Sequence, residues 1–116
     1  MVNYREERLD RIFGVLADPT RRAILARLAD ERGLSVSELA EPFAIKLPAV
    51  MKHLDILDDA GLIRRSKTGR TVTVEITVGS LKPAVDWLHR RERFWAASLD
   101  RLVDYAEAKA REARRR

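Results

Sequence analysis

The sequence contains no cysteine and only two histidines among its 116 residues. Without cysteine, disulfides, thiolate metal sites and thiol redox sensing are excluded. The chain also lacks a Gly-rich phosphate loop and a serine in a nucleophile-elbow motif. Because two histidines without a paired acidic constellation do not form a catalytic site, we expect no enzymatic activity.

Long apolar runs are missing as well, since none approaches the roughly 18 residues that a membrane span requires. The charged start of the chain has no apolar h-region, so we expect no secretory signal, no membrane partner and a cytoplasmic location. With 116 residues, 46% of them hydrophobic, the chain is expected to form a single domain over residues 1–116.

Positive charge is concentrated in two segments, although the net charge is only +5. One segment lies between Ile63 and Val74 and contains no acidic residue. The second is a basic tail at residues 109–116, for which a solvated surface remains the alternative. Localised positive charge favours a polyanion as partner. The cations of the first segment are Arg64, Arg65, Lys67 and Arg70.

The middle of the chain predicts two helices, a turn and a hairpin. Ser35 and Glu38 have the spacing of a capping box, and Pro48 suits the first turn of the next helix, which ends at Gly61. Gly69 supplies the positive φ of a tight hairpin turn. The residues that follow alternate with a period of two, which predicts a half-buried strand. Its apolar side would comprise Val72, Val74, Ile76 and Val78.

Helical spacing of apolar residues predicts helices on both sides of this segment. The first covers about residues 4–17, and a second follows Asp18, which can cap it, and Pro19. A left-handed residue at Gly33 is expected to follow its end. The last helix covers about residues 80–110, with Ser80 able to cap it.

The apolar stripe of the last helix is wide for a small domain, and a helix this long would extend past the core. We therefore expect part of that face to meet a partner chain, which makes this the dimerisation helix. For Trp87, packing in the chain's own core is the alternative. The interface residues predicted on this helix are Trp87, Phe94, Trp95, Leu99 and Leu102.

These elements define the expected fold class, which is mainly α with a β-hairpin wing. The predicted order is ααααββα, a winged helix-turn-helix. The stretches LADPTRRAILARL and LSVSELAEPFAIKLPAVMKHLDILDDAGLIRR, followed by GR and a strand, resemble the ArsR-type winged-helix repressors. The final LKPAVDWLHRRERFWAASLDRLVDY is similar to the metal-independent branch of that family.

The resemblance implies a homodimer paired through the first and last helices, so that Leu9 and Phe13 join the interface residues. It implies sequence-specific binding of double-stranded DNA and repression at a short palindromic operator. It also implies release by some signal, such as a small-molecule effector of unknown identity. The basic residues of the hairpin would then meet phosphates or a minor groove.

The helix expected to read DNA departs from the family pattern, in which S-Q-x-T-V-S-x-H often stands at its start. In this sequence, Leu47, Ala49 and Met51 stand where the family has hydrogen-bonding side chains. Lys46 stands where the family usually has a capping serine. We therefore expect phosphate contacts and DNA shape to contribute more to recognition, with apolar contact to thymine methyls. A purely structural histidine is the alternative for His53. The predicted DNA contacts of this helix are Lys46, Leu47, Ala49, Met51, Lys52 and His53.

A second departure concerns metal. The last helix offers Asp86 and His89 three residues apart, but a single histidine with scattered carboxylates is a weak ligand set. We expect no metal site and no cofactor. The reduced polar readout also supports a competing hypothesis, in which the winged helix is a protein-interaction module without DNA affinity.

Overall fold

The computed structural model describes residues 4–115, which form five helices and three strands. The contacts divide these residues into two compact units, residues 4–82 and residues 83–115. The first unit contains every element except the last helix. In chain order the elements are α1 (Tyr4–Leu16), α2 (Pro19–Asp30), β1 (Leu34–Ser35), α3 (Val36–Ala40), α4 (Leu47–Asp59), β2 (Ile63–Thr68), β3 (Thr71–Ile76) and α5 (Lys82–Arg114).

Helices α2 and α3 begin at the predicted capping residues. The carboxylate of Asp18 accepts a hydrogen bond from the backbone N–H of Arg21, and Pro19 is the first residue of α2. The hydroxyl of Ser35 accepts from the N–H of Glu38, whose carboxylate accepts in return from the N–H of Ser35. The capping box therefore forms as predicted and satisfies N–H groups at the start of α3.

The strand β1 was not predicted, because its two residues were assigned only to the start of α3. Leu34 pairs with Val74 and Ser35 with Thr73, both antiparallel, so that the sheet has the order β1-β3-β2. Gly33 adopts a φ of 67°, as predicted, between the end of α2 and this strand. Strand β1 therefore connects the hairpin to α3, because it pairs with β3 and its last residue, Ser35, caps that helix.

Helix α4 ends in a Schellman motif around Gly61, which has a φ of 75°. The N–H of Leu62 donates to the carbonyl of Leu57 at 3.0 Å, and the N–H of Gly61 donates to Asp58 at 2.9 Å. Leu57 and Leu62 are both fully buried, which supplies the apolar contact that accompanies this motif. The motif turns the chain directly into β2.

The hairpin is shorter than predicted. Strand β3 ends at Ile76, and Val78 is 90% exposed, so its assignment to the buried side was wrong. The chain leaves the sheet because Thr77 and Ser80 form a turn and Gly79 has a φ of 79°. The cap predicted at Ser80 was also wrong, because its buried hydroxyl has no hydrogen-bond partner among the described residues.

One apolar core holds the first unit together. It is formed by side chains of α1, α2, α3, α4, β1, β2 and β3, and many of them exclude water completely. Burial on this scale is the main stabilising contribution in a domain of this size. Its fully buried large side chains are Ile12, Ile24, Leu28, Leu39, Val50, Leu54, Leu57, Leu62 and Val74.

The second unit is the single helix α5, whose 33 residues make it about 50 Å long. It continues to Arg114, so that most of the basic tail predicted at residues 109–116 is helical; Arg116 lies outside the described residues. The single domain over residues 1–116 stays a prediction.

Candidate nucleic-acid interface

The start of α4 exposes an apolar and basic surface. Lys46 occupies the N-cap position without a side-chain hydrogen bond, and Leu47 is 51% exposed at the first helical position. Ala49 and Lys52 are exposed, whereas Met51 is half-buried. The opposite side of the helix carries the buried Val50, Leu54 and Leu57, which fix α4 on the core.

His53 is placed differently from its exposed neighbours. It is half-buried, and its Nδ1 is buried without a hydrogen-bond partner in the described part of the chain. The hydrogen bond from the Arg21 N–H is the main cause of the lowered pKa of Asp18, and His53 makes a smaller electrostatic contribution. The DNA contact predicted for His53 and the alternative of a structural histidine both remain predictions.

The wing, defined here as β2, β3 and their turn, carries basic residues at its tip. The register pairs Thr68 with Thr71, which leaves a two-residue turn of Gly69 and Arg70. Gly69 has a φ of 62°, and no non-glycine residue described here has a positive φ, which fits a type II′ turn. Lys67 and Arg70 are exposed on this tip.

Arg64 and Arg65 lie on opposite faces of the wing. Arg64 is exposed, and its side chain lies 3.4 Å from the carboxylate of Glu75 on the neighbouring strand. Arg65 follows the inward alternation of Ile63 and turns towards α4. Its Nη1 donates to Asp55 at 2.7 Å and its Nε to Asp58 at 2.9 Å.

The Arg65 cluster, defined as Arg65, Asp55 and Asp58, was not predicted. The hydrogen bond to Asp55 is the main cause that raises the pKa of the Arg65 guanidinium; partial burial opposes it and Asp58 reinforces it. The sequence predicts a phosphate contact for Arg65, but in this structure its guanidinium contacts the carboxylates of Asp55 and Asp58. Arg65 therefore differs from Lys67 and Arg70 at the wing tip, which are exposed.

Helix α5 carries exposed aromatic and aliphatic side chains. The rings of Phe94 and Trp95 meet edge to face, with centroids 6.1 Å apart. Trp95 and Leu99 are 63% and 58% exposed, and Leu102 is similarly exposed. Trp87 is half-buried, with the Arg91 guanidinium 5.3 Å from its ring centroid. The predicted interface residues of α1, Leu9 and Phe13, are half-buried.

Within residues 4–115, no group of three or more His, Asp or Glu side chains is arranged to hold a metal ion. Among the helices that the structure describes, none is both long and apolar enough to cross a membrane.

Comparisons with known proteins agree with this geometry. A family model described as a helix-turn-helix domain matches residues 16–66. The HTH-type transcriptional regulator Rv2034 of Mycobacterium tuberculosis is 38% identical over 102 residues, which cover 85% of this chain and 87% of the relative. The transcriptional repressor SdpR of Bacillus subtilis is 29% identical over 80 residues, which cover 69% and 88%.

Solved structures lead to the same family. The crystal structure of an ArsR family transcriptional regulator, RHA00566, superposes with a TM-score of 0.73 at 44% identity, and covers 83% of this chain and 97% of that one. An ArsR-like transcriptional regulator from Rhodococcus sp. RHA1 gives a TM-score of 0.69 at 29% identity, with 84% and 91% covered. The chain belongs to the ArsR family of winged helix-turn-helix transcriptional regulators, and its function is DNA-binding regulation of transcription.

Proposed function

We propose that the chain acts as a homodimeric repressor that binds a short palindromic operator. The observation that carries this proposal is the placement of two surfaces in one unit: the exposed start of α4 and the basic tip of the wing. A helix and a neighbouring basic ribbon can follow the major groove and the adjacent backbone together. SdpR, the Bacillus subtilis relative, is named a transcriptional repressor, which supports repression here.

Within this proposal the contacts divide into two classes. The first class consists of exposed cations that can contact phosphates, namely Lys46, Lys52, Lys67 and Arg70. Each phosphate that they neutralise releases counterions, which favours binding. Leu47 and Ala49 are exposed apolar side chains suited to thymine methyls in the major groove. Arg64 is exposed but already has a carboxylate neighbour, so it contributes less than the tip. Met51 and His53 are half-buried and are secondary candidates.

Dimerisation through α1 and α5 is the second part of the proposal. The exposed apolar face of α5 supports it, because monomeric soluble proteins rarely leave such a contiguous face in water. Two copies related by a two-fold axis would place their reading helices about 34–36 Å apart, one turn of duplex. Modulation by a small-molecule effector stays a prediction from the family resemblance.

Titration of the purified protein into labelled DNA tests the proposal. Fragments selected from random duplex should contain a palindrome, and anisotropy should show that affinity for this palindrome falls steeply as salt is raised. A slope of log K against log salt near −0.9 per phosphate contact is expected. Recovery of no preferred sequence, with no binding in dilute buffer, would favour the protein-interaction module. The regulator family also supports the absence of enzymatic activity.

A further inference from the structure

We propose that Arg65 is a positioning residue, which holds the wing at a fixed angle to α4 so that Lys67 and Arg70 reach the DNA backbone. This inference rests on the proposed use of α4 and the wing in DNA binding. It replaces the direct phosphate contact predicted for Arg65 from the sequence with a role that acts through the wing tip.

The geometry of the guanidinium carries the inference. Its Nε and Nη2 lie 2.9 and 2.8 Å from Oδ2 of Asp58, and its Nη1 lies 2.7 Å from Oδ1 of Asp55. All three guanidinium nitrogens are thus engaged by carboxylates. The Arg65 side chain is only 24% exposed, whereas that of Arg64 is 72% exposed. To bind this guanidinium, a DNA phosphate would have to displace two carboxylates, which are also negatively charged acceptors.

The connectivity explains what the cluster controls. Asp55 and Asp58 are three residues apart, which places them on one side of the second half of α4. Arg65 is the third residue of β2, two residues before Lys67 on the same face of the strand. The cluster therefore joins the helix that reads DNA to the strand that leads to the tip. The base of the wing stays fixed, because Ile63 and Val74 are buried in the core. Loss of the cluster would therefore change the angle of the outer half of the wing to α4 while both elements remain folded.

Removal of the two aspartates distinguishes a phosphate contact of Arg65 from a positioning role, because the two roles predict opposite changes in DNA affinity. The double substitution Asp55→Ala and Asp58→Ala removes two negative charges and leaves Arg65 in place. If Arg65 bound phosphate, the freed cation and the added net charge would tighten DNA binding. If Arg65 positions the wing, binding should weaken by about fivefold despite the more favourable charge, as expected when a partly exposed ion-pair network is lost. Tighter binding overturns the inference.

A charge-conserving substitution gives a second readout. Lysine can bind phosphate as a point charge but cannot reproduce the fork that spans two carboxylates. Arg65→Lys should therefore bind DNA about as weakly as Arg65→Met. The salt slope of both variants should fall by up to about two units per protomer, because the contacts of Lys67 and Arg70 weaken together. Near-wild-type binding by Arg65→Lys contradicts the positioning role.

A double-mutant cycle shows whether Arg65 acts through the tip. In a Lys67→Met and Arg70→Met background, the charge-conserving Arg65→Lys should have no further effect on affinity, because the contacts that Arg65 positions are gone. The control is Arg64→Met, which should reduce the slope by at most about one unit in either background. Additive losses for Arg65 overturn the inference.

Two controls distinguish failure of the positioning role from misfolding and from failure of the proposed function. Circular dichroism should show folded protein for each variant, and the aspartate pair carries the test if Arg65→Met unfolds. If the wild-type protein itself ignores duplex DNA in dilute buffer, the proposed function and the role of Arg65 fail together. If the wild type binds and the cycle is additive, only the role of Arg65 is lost.

Discussion

At the scale of single residues, the start of α4 offers an unusual set of groups to the edges of bases. Its exposed side chains between Lys46 and Lys52 carry amines and methyl groups but no acceptor oxygen. They can donate to guanine O6 and N7 and can pack on the thymine methyl, but they cannot accept from cytosine N4 or adenine N6. The proposed operator should therefore depend on thymine methyl groups opposite α4.

Replacing thymidine by deoxyuridine in the selected operator tests this dependence, because only the methyl group is removed. At positions that face Leu47 and Ala49, affinity should fall about fourfold for each methyl, from roughly 0.8 kcal/mol per buried carbon. A Leu47→Ala variant is the matched control and should lose most of this sensitivity at the positions that face Leu47. Equal affinity for both duplexes would show that the apolar side chains do not read bases.

The contrast between Arg64 and Arg65 shows what residue-level prediction can recover. The basic segment was recognisable from charge alone, but charge does not distinguish a phosphate contact from an ion pair within the protein. The period of two contained the missing signal, because Arg65 shares the face of the buried Ile63 whereas Arg64 does not. The acceptors could not be paired with Arg65 from sequence, since their position depends on how α4 packs on the sheet.

At the scale of elements, α4 has unequal ends. Its start lacks a side-chain cap, whereas its C-terminal end has both hydrogen bonds of a Schellman motif. The stability of the reading helix and the exit into β2 should therefore depend strongly on Gly61.

Substitution at Gly61 separates backbone strain from crowding, because a Cβ placed there would meet no atom within 4 Å. Gly61→Ala should lower the free energy of unfolding by about 1 kcal/mol, the cost of a left-handed conformation for an L-residue. Gly61→Asn should cost less, because asparagine tolerates this conformation better. Urea denaturation measures both values, and equal stability of the alanine variant and the wild type would contradict the argument.

Elements with local signals were predictable, and elements defined by distant pairing were not. The caps at Asp18 and Ser35 and the positive φ at Gly69 each follow from a few neighbouring residues, and the structure confirms them. Strand β1 exists only because Leu34 pairs with Val74, forty residues later in the chain. Val78 continues the alternation of β3 in sequence, but its apolar character does not reveal where pairing ends.

At the scale of the whole molecule, the proposed homodimer depends on α5. The five residues Leu88, Trp95, Leu99, Leu102 and Ala106 repeat at helical spacing, and the four large ones are at least half exposed. Aromatic side chains such as Trp95 contribute strongly where they are buried at an interface. Association that buried this stripe would also bring two reading helices together, so dimerisation and high operator affinity should be lost together.

Leu99→Glu tests this coupling by placing a charge on the stripe. Burying an unpaired carboxylate is costly, so the variant should be monomeric at micromolar concentration by light scattering, and its operator affinity should fall by at least about 100-fold. Ala97→Glu is the matched control, because it adds the same charge about 160° away around the same helix. It should remain dimeric and lose only the small affinity that one added negative charge removes. A monomeric wild type, or equal effects of the two substitutions, would show that the stripe is not the contact that pairs the reading helices.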